Sequence, residues 1–149
     1  METLIEYCNQ PQLTTNEIQE AISLIPASNI NEKDMFGQNA LINAAFHGHK
    51  EIVFALINAG ANLNEKANYG RTALMNAAIH GHKEIVFALI NAGANINEKD
   101  NDGWTALMWS AIYGYKEIVF ALIEAGAEID QTNDDVVKMY KQYIRECVL

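Results

Sequence analysis

The chain has 149 residues, of which 50% are hydrophobic and 19% are charged, and its formal net charge is −9. This length and composition predict one folded domain. The excess of acidic residues disfavours a nucleic-acid or anionic-membrane partner, because proteins bind such partners through Lys and Arg. No run of about 18 apolar residues and no basic, apolar leader occurs, so we expect an intracellular, cytoplasmic protein and leave export as an effector open.

Residues 1–30 are predicted to form an N-terminal capping unit. Thr14 and Glu17 have the spacing of a helix capping box. Apolar residues on one helical face follow them, namely Ile18, Ile22 and Ile25. Pro26 is expected to end this helix, because proline cannot continue one.

The middle of the chain repeats a unit of 33 residues three times, and each copy begins with Asn-Glu-Lys. The boundaries are 31–63 for repeat 1, 64–96 for repeat 2 and 97–129 for repeat 3. Self-similarity at a fixed period of this size is typical of a stacked array, in which one unit cannot bury its apolar face alone.

Each repeat is predicted to contain a turn, a short helix, a second turn and a longer helix. In repeat 3, residues 100–103 have turn chemistry, and Thr105 can cap a short helix that runs to about Tyr113. Gly114 ends that helix. The longer helix, 116–124, presents one apolar stripe formed by Ile118, Val119, Leu122 and Ile123. The pattern predicts an all-α solenoid of stacked helix-turn-helix units with hairpin-like loops.

Residues 130–149 are predicted to form a C-terminal capping helix. The turn glycine of the repeat is absent here, since Val136 stands at its position. Residues 132–135 can instead cap an amphipathic helix. Because both ends are degenerate, we expect 1–149 to be one complete small solenoid.

The period and the residues together resemble the ankyrin repeat family. Its motif contains Asp-x-x-Gly-x-Thr-Pro-Leu-His-x-Ala-Ala-x-x-Gly-His, followed by Ile-Val-x-x-Leu-Leu-x-x-Gly-Ala. Repeat 3 matches this motif at Asp100, Gly103, Thr105, Leu107, Ala111, Gly114, Ile118, Val119, Leu122, Gly126 and Ala127. The family's Pro is replaced by Ala40, Ala73 and Ala106, and its His by Ile42, Met75 and Met108. Loss of that His predicts a stack less stable than the best family members.

We find no pattern that indicates a metal site, a cofactor or an enzyme. The histidines fall in pairs, His47 with His49 and His80 with His82, with no cysteine nearby to complete a tetrahedral site. No nucleophile stands beside a base, and no glycine-rich loop opens a helix. The resemblance instead implies a binding module for another protein.

In this family the hairpin tips and the outward face of the short helix contact partners. Carried over, these positions are Lys33, Met35, Phe36, Gln38, Phe46 and His47 in repeat 1; Lys66, Asn68, Tyr69, Arg71, Ile79 and His80 in repeat 2; and Lys99, Asn101, Asp102, Trp104, Ile112 and Tyr113 in repeat 3.

Repeat 3 differs from the other two by four aromatic residues, which are Trp104, Trp109, Tyr113 and Tyr115. One interpretation is that Trp104, Trp109 and Tyr113 are partner anchors, since Trp and Tyr are enriched at binding hot spots. Acidic residues surround them, namely Glu98, Asp100 and Asp102. The partner would then be a segment with an apolar anchor beside Lys or Arg. The alternative is that the aromatics pack on the C-terminal cap.

Phe54, Phe87 and Phe120 recur in the longer helices, away from the apolar stripe. They predict either a second surface or rings that lean on the next helix; a monomer is expected. Two further roles remain open beside a plain binding module. One is an inhibitory or adaptor subunit that occludes a partner enzyme, and the other is a delivered effector that binds host proteins.

Overall fold

The computed structural model describes residues 5–6, 10, 13–26 and 29–149. Residues 1–4, 7–9, 11–12 and 27–28 of the predicted N-terminal capping unit lie outside the described residues. The described part contains helices and no strand. We number the α-helices α1 (Thr15–Ser23), α2 (Ala40–His47), α3 (Lys50–Asn58), α4 (Ala73–Ile79), α5 (Lys83–Asn91), α6 (Ala106–Ile112), α7 (Lys116–Glu124) and α8 (Asp134–Tyr143).

The short helices α2, α4 and α6 form one layer, and the longer helices α3, α5 and α7 form a second layer beside it. Each short helix begins at a side-chain cap: Asn39, Thr72 and Thr105 accept hydrogen bonds from the backbone N–H three residues later. The predicted cap at Thr105 is therefore confirmed. Backbone hydrogen bonds join the successive hairpins, from Asn68 N–H to Phe36 C=O and from Asn101 N–H to Tyr69 C=O, so the hairpins line one edge of the stack.

The core runs through the whole stack along the apolar stripes of the helices. In repeat 3, Ile118, Val119 and Leu122 are buried, as predicted, whereas Ile123 is half-buried. The alanines of the short helices are almost fully buried and let neighbouring helices approach closely. The residues that replace the family's His are buried with them, namely Ile42, Met75 and Met108.

The Asn-Glu-Lys sequence makes contacts within its own repeat through the asparagine and to the next repeat through the lysine of repeats 1 and 2. Within each repeat, the asparagine Oδ1 accepts a hydrogen bond from the backbone N–H 31 residues later, at 2.7–2.8 Å, in the pairs Asn31 with Asn62, Asn64 with Asn95 and Asn97 with Glu128. Ion pairs run alongside, from Lys33 to Glu65 at 2.6 Å and from Lys66 to Glu98 at 2.9 Å. The repeat period therefore also sets the spacing of the contacts between repeats.

Helices α1 and α8 pack on the two ends of this stack. The capping box of α1 is confirmed, since Thr14 and Glu17 exchange hydrogen bonds. The helix ends at Ser23 rather than at Pro26. Helix α8 is capped by Asn133 and continues into a π-helical turn at Ile144–Val148. None of the helices in the described residues is long and apolar enough to cross a membrane.

Candidate functional site

The four aromatic residues that distinguish repeat 3 form one continuous cluster. Ring centroids are 4.7 Å apart for Trp104 and Trp109, 6.3 Å for Trp109 and Tyr113, and 6.0 Å for Tyr113 and Tyr115. Trp109 and Tyr113 are neighbours because they are four residues apart at the end of a helix. The four differences from repeats 1 and 2 are therefore one coupled structural change, which we call the aromatic cluster.

Asp100 holds the hairpin of repeat 3 and the aromatic cluster together. Its carboxylate is buried, and Oδ1 accepts hydrogen bonds from the backbone N–H of Asp102 at 3.0 Å and of Trp104 at 2.9 Å. Oδ2 accepts a hydrogen bond from Nε1 of Trp109 at 3.0 Å. Our expectation that Asp100 adds acid to the binding surface is wrong, because both of its oxygens are used inside the chain.

Glu98 and Asp102, the other two acidic residues near the aromatic cluster, differ in whether their carboxylates are free to contact a partner. Glu98 pairs with Lys66 and accepts a hydrogen bond from Asn95 at 3.2 Å. The Lys66 ammonium, and next the Asn95 amide, lower the pKa of Glu98 below its usual value. Asp102 is exposed, and its carboxylate has no partner in the described part of the chain. Asp102 is thus the acid of the three that can meet a partner.

Two rings of the aromatic cluster pack on repeat 2. The Arg71 guanidinium lies over the Trp109 ring, 5.0 Å from its centroid. The Tyr115 ring covers Gly81, where a Cβ atom would lie 2.8 Å from the ring. These contacts to repeat 2 explain why Trp109 and Tyr115 are half-buried without the alternative that they pack on the C-terminal cap.

Tyr113 is the residue of the aromatic cluster that faces solvent. Tyr113 is 53% exposed and the neighbouring Ile112 is also exposed, whereas Trp104 is half-buried and packs on the core. The sequence pattern predicted Trp104 as a partner anchor together with Trp109 and Tyr113. The structure gives Trp104 more contact with the chain itself than it gives Tyr113.

The hairpin tips of repeats 1 and 2 expose further apolar side chains, namely Met35, Phe36 and Tyr69. Tyr69 is 72% exposed and has a positive φ of 66°, which is uncommon for a residue other than glycine. Each tip is tied to the next one by the backbone, because Asn68 N–H donates to Phe36 C=O at 3.1 Å and Asn101 N–H donates to Tyr69 C=O at 2.9 Å.

The ends of the short helices continue this exposed surface in repeats 1 and 2. The Phe46 ring lies 4.4 Å from the His80 ring of the next repeat and 5.0 Å from His47, by ring centroids. Phe46, His47 and His80 are exposed, and Ile79 is half-buried. We call the exposed apolar side chains of this edge the tip surface: Met35, Phe36, Phe46, Tyr69, Ile112 and Tyr113.

The remaining predicted contact residues act partly between repeats. Lys33 and Lys66 form the ion pairs described above, and Lys66 Nζ also donates to the backbone carbonyl of Lys99 at 2.9 Å. Lys99 itself is exposed. Gln38 accepts a hydrogen bond from Asn43 at 3.3 Å within its own repeat.

The phenylalanines of the longer helices are not equivalent. Phe54 and Phe87 are exposed. Phe120 is half-buried: the Tyr143 ring of α8 lies 5.3 Å from it and Lys116 Nζ lies 5.5 Å from it. The C-terminal helix therefore covers part of the predicted second surface at repeat 3 and leaves it open at repeats 1 and 2.

The histidine pairs serve the turns between helices. His82 Nε2 lies 3.3 Å from the Phe46 carbonyl oxygen, and His80 Nδ1 lies 2.9 Å from that of Asn76. Burial, reinforced by the charge of His47, lowers the pKa of His49. Within the described ranges there is no group of three His, Cys, Asp or Glu residues placed to hold a metal ion.

Sequence reasoning missed the role of Asp100 and the contact between Arg71 and Trp109. A signal for the first was present, since Asp34 occupies the same position in repeat 1. There it accepts hydrogen bonds from the N–H of Phe36 at 2.8 Å and of Gln38 at 2.9 Å. An Asp three residues before a turn glycine therefore indicated a hairpin organiser.

Comparison with known proteins agrees with this architecture. A sequence model described as ankyrin repeats in three copies matches residues 12–100 and again residues 61–133. A comparison with curated proteins gave no match. The two matched segments cover most of the chain, which therefore belongs to the ankyrin repeat family.

Proposed function

We propose that this chain is a protein-binding module that receives a segment of another protein on the tip surface. Ankyrin repeats generally mediate protein–protein interaction, and the family is typically non-catalytic. The observation that carries the proposal is the row of exposed apolar side chains along one edge of all three repeats. Aromatic residues in such a patch are typical of binding hot spots.

The mechanism we propose is rigid presentation of these side chains. Asp34 and Asp100 each accept two backbone hydrogen bonds inside a hairpin, and backbone hydrogen bonds join successive tips. A surface that is ordered before binding loses little conformational entropy when a partner docks. The proposed binding unit is one copy of the chain, a single domain of residues 1–149 with a capping unit at each end.

The proposed partner segment carries an apolar anchor and a basic residue. The anchor would contact Tyr113 and Ile112, and the basic residue would face Asp102, whose carboxylate is exposed. The net charge of −9 favours the approach of a basic segment. Trp104 and Trp109 would support this surface from below.

A pull-down from a lysate of the source cell tests the proposal with two matched variants. The tip variant combines Phe36→Ala, Tyr69→Ala and Tyr113→Ala, and the control variant combines Phe54→Ala and Phe87→Ala on the opposite, also exposed, side. Circular dichroism checks that both fold. We expect a bound protein that the wild type and the control variant retain and the tip variant loses. Retention by the tip variant and loss by the control variant would contradict the proposal and would assign binding to the phenylalanine surface.

A further inference from the structure

The Arg71 guanidinium is held between two aromatic rings of successive repeats. Its Cζ lies 5.0 Å from the Trp109 ring centroid and 5.8 Å from that of Tyr69. Stacking against an aromatic face is favourable for a guanidinium and restricts its position. The cation is therefore placed at the tip surface, between the exposed Tyr69 and the aromatic cluster.

No acceptor in the described part of the chain satisfies this cation. No carboxylate there lies within ion-pair distance of Arg71, and its Nε is buried without a hydrogen-bond partner. Asp100, the acid bound to Trp109, accepts hydrogen bonds from two backbone N–H groups and the indole and forms no ion pair with Arg71. Lys33 and Lys66 are paired, whereas Arg71 has no acceptor among the residues that the structure describes.

This arrangement has a consequence for any partner that covers the tip surface. A docked segment displaces the water around the guanidinium, and a desolvated cation without an acceptor opposes binding. A planar carboxylate matches the two parallel N–H groups of a guanidinium, so it restores the lost hydrogen bonds. A phosphate is less well matched, because phosphate sites commonly use several Arg residues and the chain has a net charge of −9.

We infer that Arg71 is a specificity-determining residue that selects partner segments carrying a carboxylate beside their apolar anchor. The inference rests on the proposed function and adds a charge requirement to it. The carboxylate would bind at Arg71 of repeat 2, while the basic residue proposed above would face Asp102 of repeat 3. A matching segment therefore carries both charges.

A displayed library of random peptides tests this inference, with the wild-type chain, Arg71→Gln and Lys138→Gln as baits. Lys138→Gln removes the same charge from an exposed position of α8. We expect the wild type and Lys138→Gln to enrich peptides with an aromatic or aliphatic anchor and an Asp or Glu at a fixed offset. Arg71→Gln should keep the anchor and lose the acidic preference.

The peptide side of the contact gives a test that leaves the protein untouched. In a synthetic peptide from the wild-type pool, changing the selected Glu to Gln should weaken binding to the wild type roughly tenfold, and to Arg71→Gln much less. Three results would overturn the inference and leave the proposed function standing. They are enriched peptides without an acidic preference, an equal loss of binding with both proteins, and tighter binding of a peptide with phosphoserine in place of the Glu. If no peptide is enriched, the proposed function fails with it.

Discussion

Replacing Trp109 by Phe should destabilise the chain through one identifiable hydrogen bond. The substitution keeps an aromatic ring and removes the Nε1–H that donates to Asp100 Oδ2 at 3.0 Å. Asp100 is 6% exposed, so water cannot easily replace this donor. A hydrogen bond to a charged group contributes about 1.5–3 kcal/mol. For a domain of this size that corresponds to a melting temperature lower by about 3–12 °C.

Trp104→Phe is the matched control. It removes the same indole portion from the partner ring, 4.7 Å away, and the indole N–H of Trp104 has no acceptor among the described residues. The two variants should therefore differ by about the free energy of the Asp100 hydrogen bond. Weaker stacking of Arg71 on Phe than on Trp acts in the same direction.

Urea unfolding followed by circular dichroism at 222 nm measures both variants, because tryptophan fluorescence itself changes when an indole is removed. The free energy of unfolding should fall more for Trp109→Phe than for Trp104→Phe by about 1.5–3 kcal/mol. If the two values agree within about 0.5 kcal/mol, Asp100 does not organise the aromatic cluster as we describe.

Three further outcomes follow from the packing. Gly81→Ala should lower the melting temperature of the chain more than Gly114→Ala does. Both glycines have a positive φ, but a Cβ at Gly81 meets the Tyr115 ring whereas a Cβ at Gly114 has no atom within 4 Å. Equal melting temperatures of the two variants would contradict the contact between Gly81 and Tyr115. Burial lowers the pKa of His49, so the unfolded chain binds this proton more tightly and the free energy of unfolding should fall as the pH drops below about 6.5. His49→Gln should make the free energy of unfolding depend less on pH in this range. An unchanged pH dependence in this variant would contradict the role of His49. Asn64→Ala removes a 2.8 Å hydrogen bond between the two ends of repeat 2 and should lower the free energy of urea unfolding by about 0.5–1.5 kcal/mol; an unchanged value would contradict a stabilising role for that bond.

Local signals were enough to predict most helix boundaries. Helix α7 spans Lys116–Glu124 as expected, because a turn glycine precedes it and the Ala-Gly-Ala sequence follows it. The short helix of repeat 3 ends at Ile112, one residue before the predicted end. Helix α1 ends at Ser23, before the proline, because a helix can end wherever its last turn is capped and proline sets only an outer limit.

Contacts between repeats were harder to predict than the repeats themselves. The period places Arg71 and Trp104 at equivalent positions, but it does not show that Arg71 reaches the ring of Trp109 in the next repeat. From the sequence, Asp100 was expected to be a surface acid. Its burial could not be predicted, because it depends on the donors that the fold places around the carboxylate. Which aromatic residues bind a partner stays a prediction, since packing and binding use the same residue types.

Photo-crosslinking tests whether a protein partner binds at the tip surface. p-Benzoylphenylalanine is placed at Tyr113 in one variant and at Phe54 in another, since both side chains are exposed and they lie on different faces of the stack. Irradiation in the source cell should give a covalent adduct with a protein partner from position 113 and none from position 54. An adduct from position 54 alone would contradict binding at the tip surface.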